Sequence, residues 1–280
     1  MVKFKALVVA TGYWRPGEDY LEEIINGVKG TVTDGDFVVV SEKAISTSSS
    51  NIVDEGIVKP SLSARLIAEF WMRTVWGYFL GRLCRFRERL IQWLRNYPLD
   101  AGSRHKQVAL QHAGLLQVLM FGSEGGIDGS NLPYSYVSLP LNNAEEIARK
   151  IRKQIWSSLR KKVCVIIVDT DKTYSFGNFH FTPRPKPINE IHSFGGFITY
   201  IAGRFFKLRR RATPIAIAGC QMPAENALEI AEIANRVRGF GAGRTVWDMA
   251  EKFKVNLTDV SWELLETVKH KPIIIVRSKR

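Results

Sequence analysis

Runs of apolar residues along the chain predict a mixture of buried strands and amphipathic helices. Short, continuous apolar runs bounded by turn residues are typical of buried strands. Such runs occur at residues 4–10, 37–40, 163–168, 215–218 and 273–276. Apolar residues at spacings of three and four predict helices, and they occur at residues 20–28, 144–159, 223–237 and 247–253. Helices and strands therefore mix along the whole chain, which predicts a mixed α/β (α+β) fold.

Three other regions have weaker patterns. Residues 61–97 predict a helix in two or three pieces, because Gly77 and Gly81 interrupt it and Pro98 ends it. Residues 106–117 fit a strand or a helix equally well. Residues 174–196 are rich in proline and glycine and are predicted to form a loop. A loop of that length inside a compact domain is usually functional.

Positive charge is the main feature of the composition. The 280 residues are 45% hydrophobic and 24% charged, as in an ordinary globular protein, but the net charge is +13. A basic surface attracts nucleic acid, an acidic membrane or a small phosphorylated substrate. Arg82, Arg85 and Arg89 have the spacing of one helix face. That face is either an anion-binding surface or merely solvated.

Cysteine and hydropathy patterns argue against several other classes of protein. The three cysteines are far apart and include no CxxC pair, so neither a zinc site nor a disulfide framework is indicated, and Cys164 is expected to be a small core residue. The N-terminal apolar run is too short for an export signal. Charged residues interrupt the aromatic stretch 70–83, which argues against a membrane span. We expect a cytoplasmic protein that does not associate with a membrane.

Two acidic segments are the best candidates for chemistry. Asp128 lies in the glycine-rich segment 125–131, and Asp169 follows the apolar run 163–168. A carboxylate at the end of a buried strand faces the crevice where α/β proteins usually bind ligands. Carboxylates beside hydroxyl groups suit Mg²⁺ or Mn²⁺ and a phosphate. The alternative is that both aspartates only shape turns, for which Asp, Gly, Ser and Asn are favoured.

Two further patterns are weaker. Residues 239–245 contain three glycines before a predicted helix, and backbone amides in such a loop can hold phosphate. The segment lacks the lysine of a Walker loop, and Asp248 beyond it can be explained as a helix cap. Glu225, Glu229 and Glu232 lie along one side of the predicted helix 223–237, where most glutamates are simply solvated.

Taken in order, these segments resemble the coenzyme F-420-0:gamma-glutamyl ligase family. Residues 34–40 with Lys43 and Ser46 resemble the opening of that family, and residues 15–19 resemble its pre-helix turn. Residues 126–131 match its motif of Gly, Val or Ile, Asp, any residue, Ser and Asn, and residues 168–170 match its Ser-Asp-Thr motif. Residues 225–233 look like its acidic helix, with Glu232 retained. The chain resembles a divergent, archaeal member.

The resemblance implies one ligase-like unit over residues 1–280, with a two-domain α/β fold, two interleaved subdomains and a homodimer that helps to build the site. It also implies that L-glutamate is added through an amide bond to a deazaflavin coenzyme precursor. GTP is then the co-substrate and Mg²⁺ or Mn²⁺ the cofactor. The implied roles are catalysis for Lys43, Asp128 and Asp169, nucleotide binding for Lys43, Ser130, Asn131 and Thr170, and metal binding for Asp128, Asp169, Thr170 and Glu232.

The family resemblance also predicts where several of these side chains lie. If Asp128 and Asp169 share metal ions, their carboxylates should lie about 4–6 Å apart. Glu232 should point into the same cleft, while Glu229 should face solvent. Lys43 should contact a nucleotide phosphate or the acceptor, or else be an exposed lysine at the end of a strand.

The chain also departs from the family pattern. A Gly-Arg-Pro segment follows Ser-Asp-Thr in the family, whereas residues 171–177 here read Asp-Lys-Thr-Tyr-Ser-Phe-Gly. A divergent amidoligase with another acceptor is therefore one alternative. A basic nucleic-acid-binding protein without catalysis is a second, suggested by residues 82–95 and 205–211. No RNA- or DNA-binding signature accompanies them, so we expect anionic small molecules as ligands rather than nucleic acid.

Overall fold

A computed structural model of the chain describes residues 3–122 and 124–279. Its strands are β1 (Lys3–Thr11), β2 (Phe37–Ser41), β3 (Ile52–Asp54), β4 (Tyr136–Ser138), β5 (Cys164–Phe176), β6 (Phe179–Thr182), β7 (Ile191–Ser193), β8 (Arg209–Ala218) and β9 (His270–Lys279). Its helices are α1 (Tyr20–Val28), α2 (Glu42–Ser48), α3 (Leu62–Leu66), α4 (Gly81–Leu83), α5 (Glu88–Arg95), α6 (Leu99–His112), α7 (Leu115–Val118), α8 (Ala144–Leu159), α9 (Phe197–Phe205), α10 (Ala224–Arg238), α11 (Val246–Phe253) and α12 (Trp262–Glu266). A π-helical segment, Ile67–Leu80, joins α3 to α4.

A mixed sheet covered by helices on both faces forms the centre of the molecule. The strands pair in the order β1, β9, β2 and β5, with β8 along the other edge of β5. Successive residues of β2 enter opposite cores: Val38 packs with helices α1 and α8, and Val39 packs with α10. Strands buried on both faces read as continuous apolar runs, which explains the sequence pattern. The predicted mixed α/β class is confirmed.

Strand β5 is longer than predicted and carries Asp169 near its middle. Its pairing with β8 shifts between Asp169 and Lys172, so that residues 170 and 171 form a bulge. The strand continues to Phe176 and pairs there with β6. The prediction that the strand ends before Asp169 is wrong, because a bulge keeps a polar, turn-like sequence within a strand. The predicted loop 174–196 is also wrong in part, since β6 and β7 lie inside it.

Residues 62–112 form a second layer of helices. The interrupted helix predicted over residues 61–97 lies within this layer and is confirmed. Trp76 and Met72 of the π-helical segment and Leu94 of α5 are fully buried in one aromatic core. The chain turns between α4 and α5, where Arg85 has a φ of 56°. Arg82, Arg85 and Arg89 therefore do not share a helix face, and that prediction is wrong. Residues 106–117, ambiguous in sequence, are mostly helical, because α6 runs to His112 and α7 covers Leu115–Val118.

No helix within residues 3–122 and 124–279 combines the length and apolarity needed to cross a membrane.

A small two-stranded sheet of β3 and β4 lies apart from the main sheet. It contacts the first acidic segment through a bridge between Asp128 and Ser138. The first acidic segment therefore consists of turns tied to β4 by this bridge, whereas the second lies within strand β5.

A disulfide bond joins the first residue of β5 to the second residue after the end of β8. Cys164 and Cys220 are bonded, with their Cα atoms 5.4 Å apart, while Cys84 is free and buried. Cys164 is a buried core residue, as expected, but the expectation that the cysteines form no disulfide is wrong. The partner lies 56 residues away and approaches only because β8 pairs beside β5, which spacing along the chain does not reveal.

We predict that the protein denatured without reductant exposes one reactive thiol and that the reduced, denatured protein exposes three. Quantification with a thiol-reactive chromophore measures both. Closing a loop of this size stabilises a fold by roughly 3–5 kcal/mol in the chain-entropy model, so Cys220→Ser should lower the midpoint of urea unfolding. Cys84→Ser leaves the bond in place and is the matched control. Three thiols without reductant would contradict the pairing.

Candidate functional site

One large cavity, of about 710 Å³, receives both acidic segments. Its wall on the side of the main sheet contains Glu42, Lys43 and Asp169, and the first acidic segment contributes Asp128. The glycine-rich segment 239–245 forms another part of the lining. Aromatic side chains from the helical layer and the loops complete it, among them Tyr13, Trp14, Trp93, Tyr97, Tyr134 and Trp247.

Lys43 connects the start of α2 to the first acidic segment. Its ammonium group forms an ion pair with Asp128 and donates to the Oγ of Ser130 at 2.7 Å and to the carbonyl of Ser130 at 2.9 Å. The other carboxylate oxygen of Asp128 accepts from the N–H of Ser130 at 2.7 Å. An ammonium has three donors, and each has a partner here. The structure therefore brings together three of the residues predicted from sequence.

Asp169 is bound by an arginine that the sequence analysis missed. Arg184, only 2% exposed, donates through Nε to Asp169 and through Nη2 to Glu42, both at 2.6 Å. Glu42 also accepts from the N–H of Leu141 at 2.7 Å. Burial raises the pKa of Glu42 to about 7, although Arg184 opposes the shift. Glu42 adjoins Lys43 in the sequence, but Arg184 lies in the segment that was predicted to be a loop.

Gly126 allows this arginine to approach the first acidic segment. Its φ is +98°, a conformation that side chains disfavour. A Cβ atom at this position would lie 2.6 Å from Nε of Arg184. Because Gly126 of the first motif has no side chain, Arg184 has room to pair with Asp169 of the second motif. Arg184 thus links the two acidic segments.

Asn131 holds the glycine-rich segment 239–243. Its Nδ2 donates to the carbonyls of Phe240 and Gly243 at 3.2 and 3.1 Å, and its Oδ1 accepts from the N–H of Ala242 at 2.6 Å. A Cβ on Gly241 would collide with this amide. Both Nδ2 protons are thus used within the protein. Direct nucleotide binding by Asn131 stays a prediction, and the observed contacts position the loop.

Of the remaining residues predicted for the site, Thr170 lines the cavity and Glu232 does not. Thr170 is exposed in the bulge of β5 and lines the cavity. Glu232 does not line it: its carboxylate accepts from the N–H of Ala212 and from Arg236, both at 2.9 Å, and lies 3.6 Å from Lys172. The expectation that Glu232 points into the cleft is therefore wrong. Glu229 is half-buried rather than facing solvent.

The carboxylates of the cavity have the chemistry that Mg²⁺ or Mn²⁺ requires, but they are not clustered for it. Glu42, Asp128 and Asp169 offer hard oxygen donors, and Thr170 offers a hydroxyl. Asp128 is already paired with Lys43, and Glu42 and Asp169 share Arg184. Within the described part of the chain, no group of three or more His, Cys, Asp or Glu residues is arranged to hold a metal. The metal ligands predicted from sequence stay a prediction.

A second charged network lines the cavity at the helical layer. His105 lies 2.6 Å from Glu55 and 3.1 Å from Glu124, and the buried Lys106 donates to Glu124 at 2.6 Å. Burial alone would lower the pKa of His105, but the two carboxylates raise it to about 10. Burial would likewise raise the pKa of Glu124, but Lys106 and His105 lower it to about 2. His105 is therefore an imidazolium at neutral pH.

Comparison with known proteins places the chain in a family. The model of the F420-0:gamma-glutamyl ligase family matches residues 9–239. The chain is also 33% identical over 288 aligned positions to the uncharacterized protein MJ1361 of Methanocaldococcus jannaschii, an alignment that covers 98% of this chain and 97% of that one. The protein belongs to the F420-0:gamma-glutamyl ligase family, which confirms the resemblance found in the motifs and indicates a ligase.

We predict that Gly126→Ala destabilises the protein by more than the backbone strain alone, because the new Cβ displaces Arg184. Gly17→Ala is the matched control, since Gly17 has a φ of +89° and nothing within 4 Å of its Cβ position. Strain at such a φ costs about 1–3 kcal/mol, and both variants carry it. Urea unfolding measures the difference. Equal losses in the two variants would show that the contact with Arg184 is unimportant.

We predict that the stability difference between the wild type and His105→Gln shrinks as pH rises. A histidine whose folded pKa is raised contributes stability that is fully present below its unfolded pKa, near 6.5. That contribution is lost as pH rises through about 10. Urea unfolding of both proteins at intervals from pH 6 to pH 10 tests this. A difference that is constant over the range would mean that His105 is neutral in the folded state.

Proposed function

We propose that the protein is a GTP- and metal-dependent ligase that joins L-glutamate by an amide bond to the carboxylate of a deazaflavin coenzyme precursor. The observation that carries this proposal is the convergence of Lys43–Asp128 and Arg184–Asp169 on one cavity that also has aromatic walls. Charged groups suit phosphates and carboxylates, and flat aromatic walls suit a ring system. Family membership supplies the reaction class.

The reaction has two steps. A carboxylate oxygen of the acceptor attacks the γ-phosphorus of GTP, the bond from that phosphorus to the bridging oxygen breaks, and GDP leaves. The amine of glutamate then attacks the carbonyl carbon of the acyl phosphate, phosphate leaves with the electrons of the C–O bond, and the nitrogen loses a proton to water. A bound Mg²⁺ or Mn²⁺ would neutralise the charge on the phosphates.

The residues of the chain would contribute mainly by holding charges in place. Lys43 is an immobilised point charge, because Asp128 and Ser130 use its donors from one side. Arg184 donates to Asp169 and so orients its carboxylate beside the bulge of β5. Preorganised charges of this kind stabilise a transition state without reorganising during the reaction. Thr170 is exposed beside Asp169 and lines the cavity, which supports a role for its hydroxyl in contacting a phosphate or its metal ion.

A non-catalytic nucleic-acid-binding role has less support. The basic run around residues 205–211 does not form a free cationic face, because Arg211 is 2% exposed and bonds Glu225 at 2.7 Å. Arg209 bonds the same glutamate at 2.9 Å. Sequence-independent binding of nucleic acid needs several exposed cations in register with phosphates. The charge is better explained by small anionic substrates.

We predict that Lys43→Ala raises the Michaelis constant for one substrate more than tenfold, a loss of over about 1.4 kcal/mol. The assay combines GTP, Mn²⁺, glutamate and a deazaflavin precursor, and it measures phosphate release together with the mass of the product. Lys153→Ala removes an exposed lysine of α8 and is the control. Thermal unfolding with and without GTP shows whether ligand stabilisation is reduced.

Unaltered kinetics in Lys43→Ala would show that Lys43 has a purely structural role. Phosphate release without a change in product mass would indicate a hydrolase instead of a ligase. Release of phosphate with another carboxylate acceptor, but not with the deazaflavin precursor, would favour the divergent amidoligase.

A further inference from the structure

One residue of the charged network at the helical layer keeps an unused hydrogen-bond acceptor at the cavity. Lys106 uses all three of its donors within the protein, on Glu124 and on two carbonyl groups. Both oxygens of Glu124 accept, one from Lys106 and one from His105. Glu55 accepts from His105 through one oxygen at 2.6 Å, and its other oxygen has no partner among the described residues. Because Glu55 lines the cavity, this oxygen can accept from a ligand.

His105 fixes the position of that carboxylate. It is an imidazolium at neutral pH, so both of its ring nitrogens donate, one to Glu55 and one to Glu124. A ring in this state has no lone pair for a metal ion. The two carboxylates are balanced by His105 and Lys106, so the network needs no further cation. What it presents to the cavity is a fixed carboxylate oxygen, which suits a charged hydrogen-bond donor.

Tyr97 brings a second unused polar group to the same place. Its side chain is only 6% exposed and lines the cavity, and its hydroxyl has no hydrogen-bond partner within residues 3–122 and 124–279. A Cβ atom on Gly102 would lie 2.2 Å from the ring, so the ring packs directly on α6, one turn before His105. Burial, with Glu124 and Glu55, raises the pKa of the hydroxyl well above its usual value, so it keeps its proton and can donate.

Both groups lie beside the first acidic segment. Glu124 forms a β-bridge with Ile127, the residue before Asp128. The N–H of Glu55 donates to the carbonyl of Ser135 at 3.0 Å, between that segment and β4. A ligand held at the helical layer therefore shares one cavity with the charged groups of the sheet side.

We propose that Glu55 and Tyr97 bind the amino-acid substrate, with Glu55 accepting from its ammonium group and Tyr97 donating to its α-carboxylate. A carboxylate and a hydroxyl match these two groups of an α-amino acid, whereas a carboxylate repels phosphate. His105 is a positioning residue, because neither of its donors is left for a ligand. The inference rests on the proposed function for the choice of L-glutamate, but binding at this subsite requires no ligase activity.

Calorimetric titration with L-glutamate and two of its fragments, with and without GDP and Mg²⁺, tests the subsite. Glutarate lacks the amine, and 4-aminobutyrate lacks the α-carboxylate. Glu55→Gln should weaken L-glutamate binding about 10- to 100-fold, as expected for loss of a charged hydrogen bond, and should not weaken glutarate binding. Tyr97→Phe should weaken L-glutamate binding about tenfold and should not weaken 4-aminobutyrate binding. Glu145→Gln changes an exposed glutamate of α8 and should bind as the wild type does.

The melting temperatures of the ligand-free variants separate a binding role from a structural one. Tyr97→Phe should melt at the temperature of the wild type or above it, because the hydroxyl that it removes has no partner in the protein. Glu55→Gln keeps an acceptor for His105, and far-UV circular dichroism checks its fold. A lower melting temperature of Tyr97→Phe, together with unchanged affinity for L-glutamate, would overturn the subsite. Equal losses of L-glutamate and glutarate affinity in Glu55→Gln would also overturn it.

Activity measurements distinguish the subsite from the proposed function. A wild-type protein that binds no L-glutamate would overturn the subsite. Ligase turnover with the same Michaelis constant for L-glutamate in the wild type and Glu55→Gln would support the proposed function and overturn the subsite. Amine-selective binding that depends on Glu55, without any turnover of GTP, would refute the proposed function and leave the subsite standing.

Discussion

The buried ion pairs of Arg184 are the interaction on which the site depends. One guanidinium joins the start of α2, through Glu42, to the bulge of β5, through Asp169, and it passes against the backbone of Gly126. Breaking a buried ion pair by removing one partner is strongly destabilising, because the remaining charges lose their compensation. Loss of Arg184 would leave two carboxylates close together in a region of low polarity. The arrangement of both acidic segments therefore depends on it.

Arg184 also bears on the departure from the family pattern after Asp169. The chain does not read Gly-Arg-Pro there, but it reaches an Arg-Pro pair at residues 184 and 185 after the hairpin of β5 and β6. The intervening residues form that hairpin. Where the chain leaves β6, the hydroxyl of Thr182 accepts from the N–H of Arg184 at 3.1 Å and holds the backbone in place. An arginine thus reaches the second acidic segment after a hairpin rather than directly after Asp169 in the sequence.

The sequence predicts elements well where their pattern is local. Helix 144–159 has the predicted bounds because its apolar spacing is regular over four turns, and β2 is found because it is buried on both faces. The motif resemblance assigns Lys43, Asp128 and Ser130 to one site, and the three are in contact, while their catalytic and binding roles stay predictions. Asp169 was placed at a strand end because a bulge has no local signature. Arg184 and Cys220 were missed because their partners meet them only through strand pairing.

The positions of the cations bear on the proposal that this strongly basic chain binds small anions. Lys43 and Arg238 line the cavity and Arg184 lies beside it. Lys43 and Arg184 form ion pairs with carboxylates, whereas Nε and Nη2 of Arg238 have no hydrogen-bond partner among the described residues. A paired cation orients a carboxylate, whereas an unpaired one in a site of low dielectric attracts a ligand charge strongly. We therefore expect small anions to bind at the cavity, where these cations lie. A surface of scattered arginines would not create that selectivity, because solvent and salt screen exposed charges.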